Sequence, residues 1–128
     1  MKLRIVVADD NSEFLDALVS MLGEEFDIVA TAADGKSALE CIRRCRPDVA
    51  VLDLSMPAMH GIDVTAELMN NHHLGPAVVI CSVETDPAIV AAARAAGALG
   101  YVFKVRVAED LGAAVKAVAR GQSFVSSV

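Results

Sequence analysis

A chain of 128 residues with 11 Lys and Arg against 17 Asp and Glu, a net charge of -6 and 55% hydrophobic content reads as one ordered domain, long enough to bury a core. That acidic balance excludes a domain built to grip phosphate backbones. Three cysteines make no disulfide framework, no apolar run reaches membrane-spanning length, and Met1–Ala8 is too short and too soon acidic for a signal peptide, so a cytoplasmic protein with no membrane partner is expected.

Leu3 to Ala8 is a strand-like apolar run ending at Asp9-Asp10. Asn11 or Ser12 then caps a helix whose apolar residues Phe14, Leu15, Leu18, Met21 and Leu22 recur at helical spacing up to Gly23. Phe26 to Ala32 is a second short strand, and Asp34-Gly35 turns into a helix carrying Ala38, Leu39, Cys41, Ile42 and Cys45, closed before Pro47. Cys41 and Cys45 stand one turn apart with no His or second Cys pair near them, so they read as apolar filler rather than a zinc site.

Val49 to Leu54 is a continuous apolar run broken only by Asp53, the pattern of a strand buried on both faces of a parallel sheet. Pro57 and Gly61 mark the loop that follows, Ile62 to Asn70 is helical, and Asn71 to Gly75 is its exit. The adjacent His72-His73 pair is poorly spaced for a metal and reads as surface. Ala77 to Cys81 is a fourth buried strand ending at Ser82, and Asp86-Pro87 starts an alanine-rich helix, Ala88 to Ala96, stopped by Gly97. Leu99 to Phe103 is the last strand, ending at Lys104, and Ala108 to Arg120 is the last helix. Ser123 to Val128 mixes serine with apolar residues and shows no obvious partner, so the domain is set at 1–121, with 122–128 the start of a linker or tail.

Five strands each followed by a helix predict an α/β, flavodoxin-like (βα)5 domain, a doubly wound five-stranded parallel sheet in the order 2-1-3-4-5. Ligands of such sheets bind beyond the carboxyl ends of the strands, which here carry Asp9-Asp10, Asp53, Ser82 and Lys104. A strand-end Asp alone often does no more than cap its own loop, Ser82 alone can satisfy its own loop backbone, and Lys104 alone can be a solvated charge. Three carboxylates converging on one pocket change that reading: they repel, and they invite a hard divalent cation, for which Mg2+ is suited. With that cation on one side and the Lys104 ammonium on the other, Asp53 is placed to attack phosphorus in line and form an aspartyl phosphate, with Ser82 donating to a phosphoryl oxygen.

This set, from Asp9-Asp10 through Asp53, Pro57 and Gly61 to Ser82, Tyr101 and Lys104, resembles the receiver domains of two-component response regulators over almost the whole chain. The resemblance implies that Asp53 is the phosphoacceptor, fed by a sensor histidine kinase. It implies that Asp10 and Asp53 ligate Mg2+ directly with the backbone carbonyl of Ser55, and that Asp9 contributes through water. It implies a switch in which Ser82 moves toward the phosphoryl group and Tyr101 turns inward, read out on the face of the fourth and fifth strands and helices. It further implies a signalling phosphoacceptor rather than an enzyme, one that promotes its own phosphorylation and dephosphorylation.

The stretches Gly97–Lys104 and Ala117–Ser126 are most similar to the LuxR/NarL subfamily. That likeness implies a phosphorylation-dependent homodimer and transcription regulation through a C-terminal helix-turn-helix DNA-binding domain. No such domain follows in these 128 residues, and an excised receiver is favoured over a stand-alone one. Val105-Arg106-Val107 departs from the polar stretch usual in the subfamily, His60 stands where an acid is frequent, and Glu84 holds a position that can tune dephosphorylation. A haloacid-dehalogenase-type phosphatase needs an acid two residues after the nucleophile, where this chain has Ser55. A flavodoxin-like FMN carrier needs a phosphate loop where it has Ala8-Asp9-Asp10-Asn11. The remaining alternative is a receiver fold that works as a phosphate-independent interaction module.

Overall fold

The computed structural model describes residues 2–70 and 75–127. The elements run β1 (Arg4–Ala8), α1 (Ser12–Leu22), β2 (Asp27–Ala32), α2 (Gly35–Cys45), β3 (Val49–Asp53), α3 (Gly61–Asn70), β4 (Ala77–Ser82), α4 (Pro87–Ala96), β5 (Gly100–Phe103), a single 3-10 turn (Lys104–Arg106), α5 (Val107–Ala119) and β6 (Phe124–Val125). The sheet order is β2-β1-β3-β4-β5-β6, and every pairing is parallel. The doubly wound fold expected from the alternating pattern is present. His72 and His73 lie outside the described residues.

Three of the helices, α1, α2 and α4, start where a short polar side chain takes up a free amide. Asn11 Oδ1 accepts from Phe14 N at 3.0 Å, Asp34 Oδ1 from Ser37 N at 2.7 Å and Asp86 Oδ1 from Ala88 N at 2.9 Å, the last with Pro87 supplying the first helical residue. Period-2 alternation along the buried strands divides the core in two. Val6, Leu52, Ile80 and Tyr101 face α2, α3 and α4, while Ile5, Val7, Val51, Cys81 and Val102 face Leu18 and Leu22 of α1 and Leu111, Val115 and Val118 of α5. Cys41 and Cys45 are partly buried against the first of these layers, as apolar filler should be.

One expectation fails at the C-terminus. The segment expected to lie without a partner adds a sixth strand at the β5 edge: Phe124 N donates to Leu99 O at 3.0 Å and Ser126 N to Tyr101 O at 2.9 Å. The physical reason is that β5 would otherwise present a row of unpaired backbone groups, and the chain returning from α5 passes within reach of them.

Candidate functional site

Strand register sets the site. Ala8 stands opposite Leu52, Asp53 opposite Cys81, and Ser82 opposite Phe103. Asp9, Asp53, Ser82 and Lys104 are therefore brought to one end of four adjacent strands, as expected for residues at the switch point of a doubly wound sheet. A carboxylate oxygen from each of Asp9, Asp10 and Asp53 lies within 4.8 Å of the others. Asp9 is 1% exposed and Asp53 7%, while Asp10 is open to solvent.

The Lys104 ammonium enters this group. Its Nζ donates to Asp9 Oδ2 at 2.8 Å and lies 3.4 Å from Asp53 Oδ1, with the Phe14 ring 4.4 Å beneath it. Asp9 is held further by the amide of Asn11, donating to Oδ1 at 2.8 Å. Burial pushes the Asp53 carboxyl up to about 6, the neighbouring Asp9 charge adds to this, and Lys104 opposes it. Burial lowers the affinity of the Lys104 ammonium for its proton, but the hydrogen bond to Asp9 and the charges of Asp53 and Asp9 outweigh it, so its pKa is raised.

The loop after Asp53 is pinned by close backbone approach. Gly61 N donates to Leu54 O at 2.7 Å and Gly35 N to Pro57 O at 3.1 Å. A Cβ at Gly35 would stand 1.8 Å from Met59 O and one at Gly61 2.3 Å from Asp53 O, so neither position admits a side chain without moving the loop. Ala58 sits in the left-handed region with φ of 68°, a local strain that these contacts hold in place.

Ser82 and Tyr101 occupy the far side. Ser82 Oγ accepts from Glu84 N at 3.0 Å, the local backbone bond that a loop serine makes on its own account. Tyr101, a switch residue by the resemblance, is wholly buried with 0% exposure, and its hydroxyl donates to Glu84 O at 2.9 Å. Burial raises the Tyr101 hydroxyl, and a hydrogen bond with Ser82 is the chief opposing influence. Beneath the acids, Cys81 is pushed up to about 12 by burial and is not a nucleophile at neutral pH.

Three features escaped the sequence reading. Phe14 was counted as helix core, yet its ring lies under the ammonium. Gly35 was read as a turn residue, yet its missing side chain admits the loop after Asp53. The departure at Val105-Arg106-Val107 gave no local structure, yet Lys104 to Arg106 form the 3-10 turn, with Val105 76% exposed and Arg106 Nη2 3.2 Å from Asp110 Oδ1.

The molecule is thus a doubly wound parallel α/β domain that gathers two buried acids and a lysine at the carboxyl ends of its strands. The model of the response regulator receiver domain matches residues 5–116, and the chain belongs to that family, with regulators of the NarL/LuxR type among its close relatives. It is 36% identical to the probable transcriptional regulatory protein NarL of Mycobacterium tuberculosis over 98% of this chain and 58% of that protein. It is 32% identical to the transcriptional regulatory protein DegU of Brevibacillus brevis over 97% of this chain and 53% of the relative. The solved receiver domain of the M. tuberculosis NarL superposes with a TM-score of 0.88 at 36% identity, covering 94% of this chain and 98% of that one. The chain thus spans about half the length of the curated relatives it matches. No helix among the described residues is long and apolar enough to cross a membrane.

Proposed function

We propose that this receiver domain accepts a phosphoryl group on Asp53 from the phosphohistidine of a sensor histidine kinase. The observation that carries the reading is the Asp53 carboxylate itself, buried at a strand end, with Lys104 Nζ at 3.4 Å and two further acids beside it. A pKa near 6 leaves that carboxylate ionised at neutral pH and more basic than an exposed one, which suits a nucleophile. Its Oδ attacks phosphorus in line, the new O–P bond forms, and the P–N bond to the imidazole breaks, leaving the ring neutral once it takes up a proton. The Lys104 ammonium offsets charge on the phosphoryl oxygens throughout, and the Ser82 hydroxyl donates to one of them when its loop moves.

Three carboxylates against one ammonium leave an excess of negative charge on an all-oxygen donor set, which fits a hard divalent cation. Asp10, Asp53 and the Ser55 carbonyl would hold Mg2+, with Asp9 acting through water; bound there, the ion would neutralise transferring phosphoryl charge. Attack of water on the aspartyl phosphate, tuned by Glu84, returns the domain to its starting state. Phosphorylation-dependent dimerisation and transcription regulation through a separate DNA-binding domain complete the reading, supported by the transcriptional regulators among the relatives. The domain then works as a signalling acceptor in the cytoplasm.

The test is intact mass after incubation with acetyl phosphate, with and without Mg2+, on wild type and Asp53→Asn. A Mg2+-dependent gain of one phosphoryl group confined to wild type is expected. One observation favours the rival reading, a phosphate-independent interaction module: Tyr101 is already inward and tied to Glu84. No gain in wild type that binds Mg2+ would select it.

A further inference from the structure

The segment after α5 does more than cover an edge. Ser126 is 5% exposed, and its Oγ accepts from Phe103 N at 3.1 Å while donating to Asp110 Oδ2 at 2.7 Å. Asp110, in the first turn of α5, also takes Arg106 on both its oxygens, Nη2 at 3.2 Å from Oδ1 and Nε at 3.4 Å from Oδ2. Phe103 immediately precedes the 3-10 turn whose first residue is Lys104, and Arg106 is the last residue of that turn. The backbone of Lys104 is therefore fixed from both ends by one network, and that network converges on a hydroxyl from the last described residues of the chain.

The consequence follows from the length of a lysine side chain. Its four-carbon stem is flexible, and the ammonium keeps two partners, Asp9 and Asp53, only if the Cα is placed so that the stem spans the distance without lateral slack. The Phe14 ring limits movement on one side, and the two-ended tie of the turn limits movement of the base. Loss of the buried amide–hydroxyl bond would leave the Phe103 N–H unpaired, and the bond to the partly buried Asp110 is of the stronger, charge-assisted kind.

We propose that Ser126 and Asp110 are positioning residues for Lys104: the C-terminal strand clasps the β5–α5 turn and so holds the ammonium at the acid pocket, making phosphoryl acceptance depend on whether residues 124–126 are docked. This rests on the reading of Asp53 as acceptor. It makes the segment beyond α5 a control point, because whatever draws that strand off the β5 edge also loosens Lys104.

Two measurements test it. In the first, amide hydrogen exchange is followed across Phe103 to Val107 in wild type, Ser126→Ala and Ser126→Thr. Exchange faster by about tenfold or more in the alanine variant, restored toward wild type by threonine, is expected, and unchanged exchange overturns the clasp. In the second, acetyl phosphate phosphorylation rates are compared in wild type, Ser126→Ala, Lys104→Ala and the double variant. Ser126→Ala should slow wild type on the order of tenfold and have little further effect once Lys104 is gone, because it acts through that residue. An equal slowing in both backgrounds overturns the positioning role, since a general loss of fold would add. Should wild type take no phosphoryl group, the acceptor reading falls, and the exchange experiment alone decides the clasp.

Discussion

Asp34 and Asp53 are both aspartates at the junction between a strand and the segment that follows, and their environments move them in opposite directions. Asp34 gathers the backbone and side chain of Ser37, and these hydrogen bonds hold its carboxyl below the ordinary value. Asp53 is buried beside another acid and is pushed up to about 6. The first carboxylate is satisfied by its own loop and has nothing left to do. The second is kept short of partners, apart from a lysine it shares with Asp9, an imbalance of the kind that clusters at functional sites and that the proposed acceptor role would use.

The largest effect expected from breaking this contrast is on chemistry. Asp53→Asn should abolish phosphoryl incorporation while leaving the far-ultraviolet circular dichroism spectrum unchanged, because an amide is a poor nucleophile of nearly the same shape. A phosphoryl group retained on the variant, seen by intact mass, would move the acceptor elsewhere. Lys104→Ala should come next, slowing phosphorylation on the order of a hundredfold. It also leaves Asp9, 1% exposed, without its cation. Since the lysine is partly open to water, a stability loss of about 2 kcal/mol is expected, below that of a fully buried broken pair and measurable by urea denaturation.

Stability against pH sharpens the same comparison. Between the ordinary value of 3.8 and about 6, the folded protein holds a proton at Asp53 that the unfolded chain has released, so stability falls as pH rises through that window. Above it the full penalty applies, on the order of 1–2 kcal/mol once solvent screening is allowed for. In chelator at pH 7.5, Asp53→Asn should therefore be the more stable protein, and the difference should vanish near pH 3.5. Mg2+ should raise the wild-type midpoint more than that of the variant. A variant less stable than wild type at pH 7.5 would mean that Asp53 is well solvated and that the reading of its environment is wrong.

Much of this site was legible in the sequence for a physical reason. An apolar run interrupted by one carboxylate has few meanings, and Asp9-Asp10, Ser82 and Lys104 each closed a comparable run, so one topological rule brought them together. What was not legible depends on distances that no local pattern carries. Phe14 has the spacing of a core residue whether or not an ammonium lies above it. A two-residue strand such as Phe124-Val125 has no period to detect, and the bond from Ser126 to Asp110 crosses from the sheet edge to a helix. The resemblance paired Ser82 with Tyr101, but it did not give the arrangement here, with the ring buried and the hydroxyl on Glu84 O. Tyr101→Phe should release that carbonyl, cost about 1 kcal/mol and speed amide exchange in the β4–α4 loop; exchange as slow as in wild type would show that other contacts hold the loop.

The smallest effect belongs to the other member of the comparison. Asp34→Ala removes the acceptor for Ser37 N and the partner of the Ser37 hydroxyl, so α2 loses its cap and the thermal midpoint should fall slightly. The sign against pH is opposite to that of Asp53. A carboxyl held below its ordinary value contributes stability above that value and loses it as pH falls through the folded pKa, so wild type and Asp34→Ala should converge in acid and separate at neutral pH. Phosphoryl incorporation should persist in this variant, because the carboxylate touches none of the acids. The neighbouring Gly35 amide does hold Pro57 O, however, and a fraying α2 would transmit some disorder to the loop after Asp53. Asp34→Asn and Asp34→Ser, which keep a capping oxygen without the full charge, separate the two contributions. If they restore the midpoint and the phosphorylation rate together, Asp34 serves the site only by holding the start of α2, whereas a rate that stays low with the cap restored would give its charge a role in the pocket.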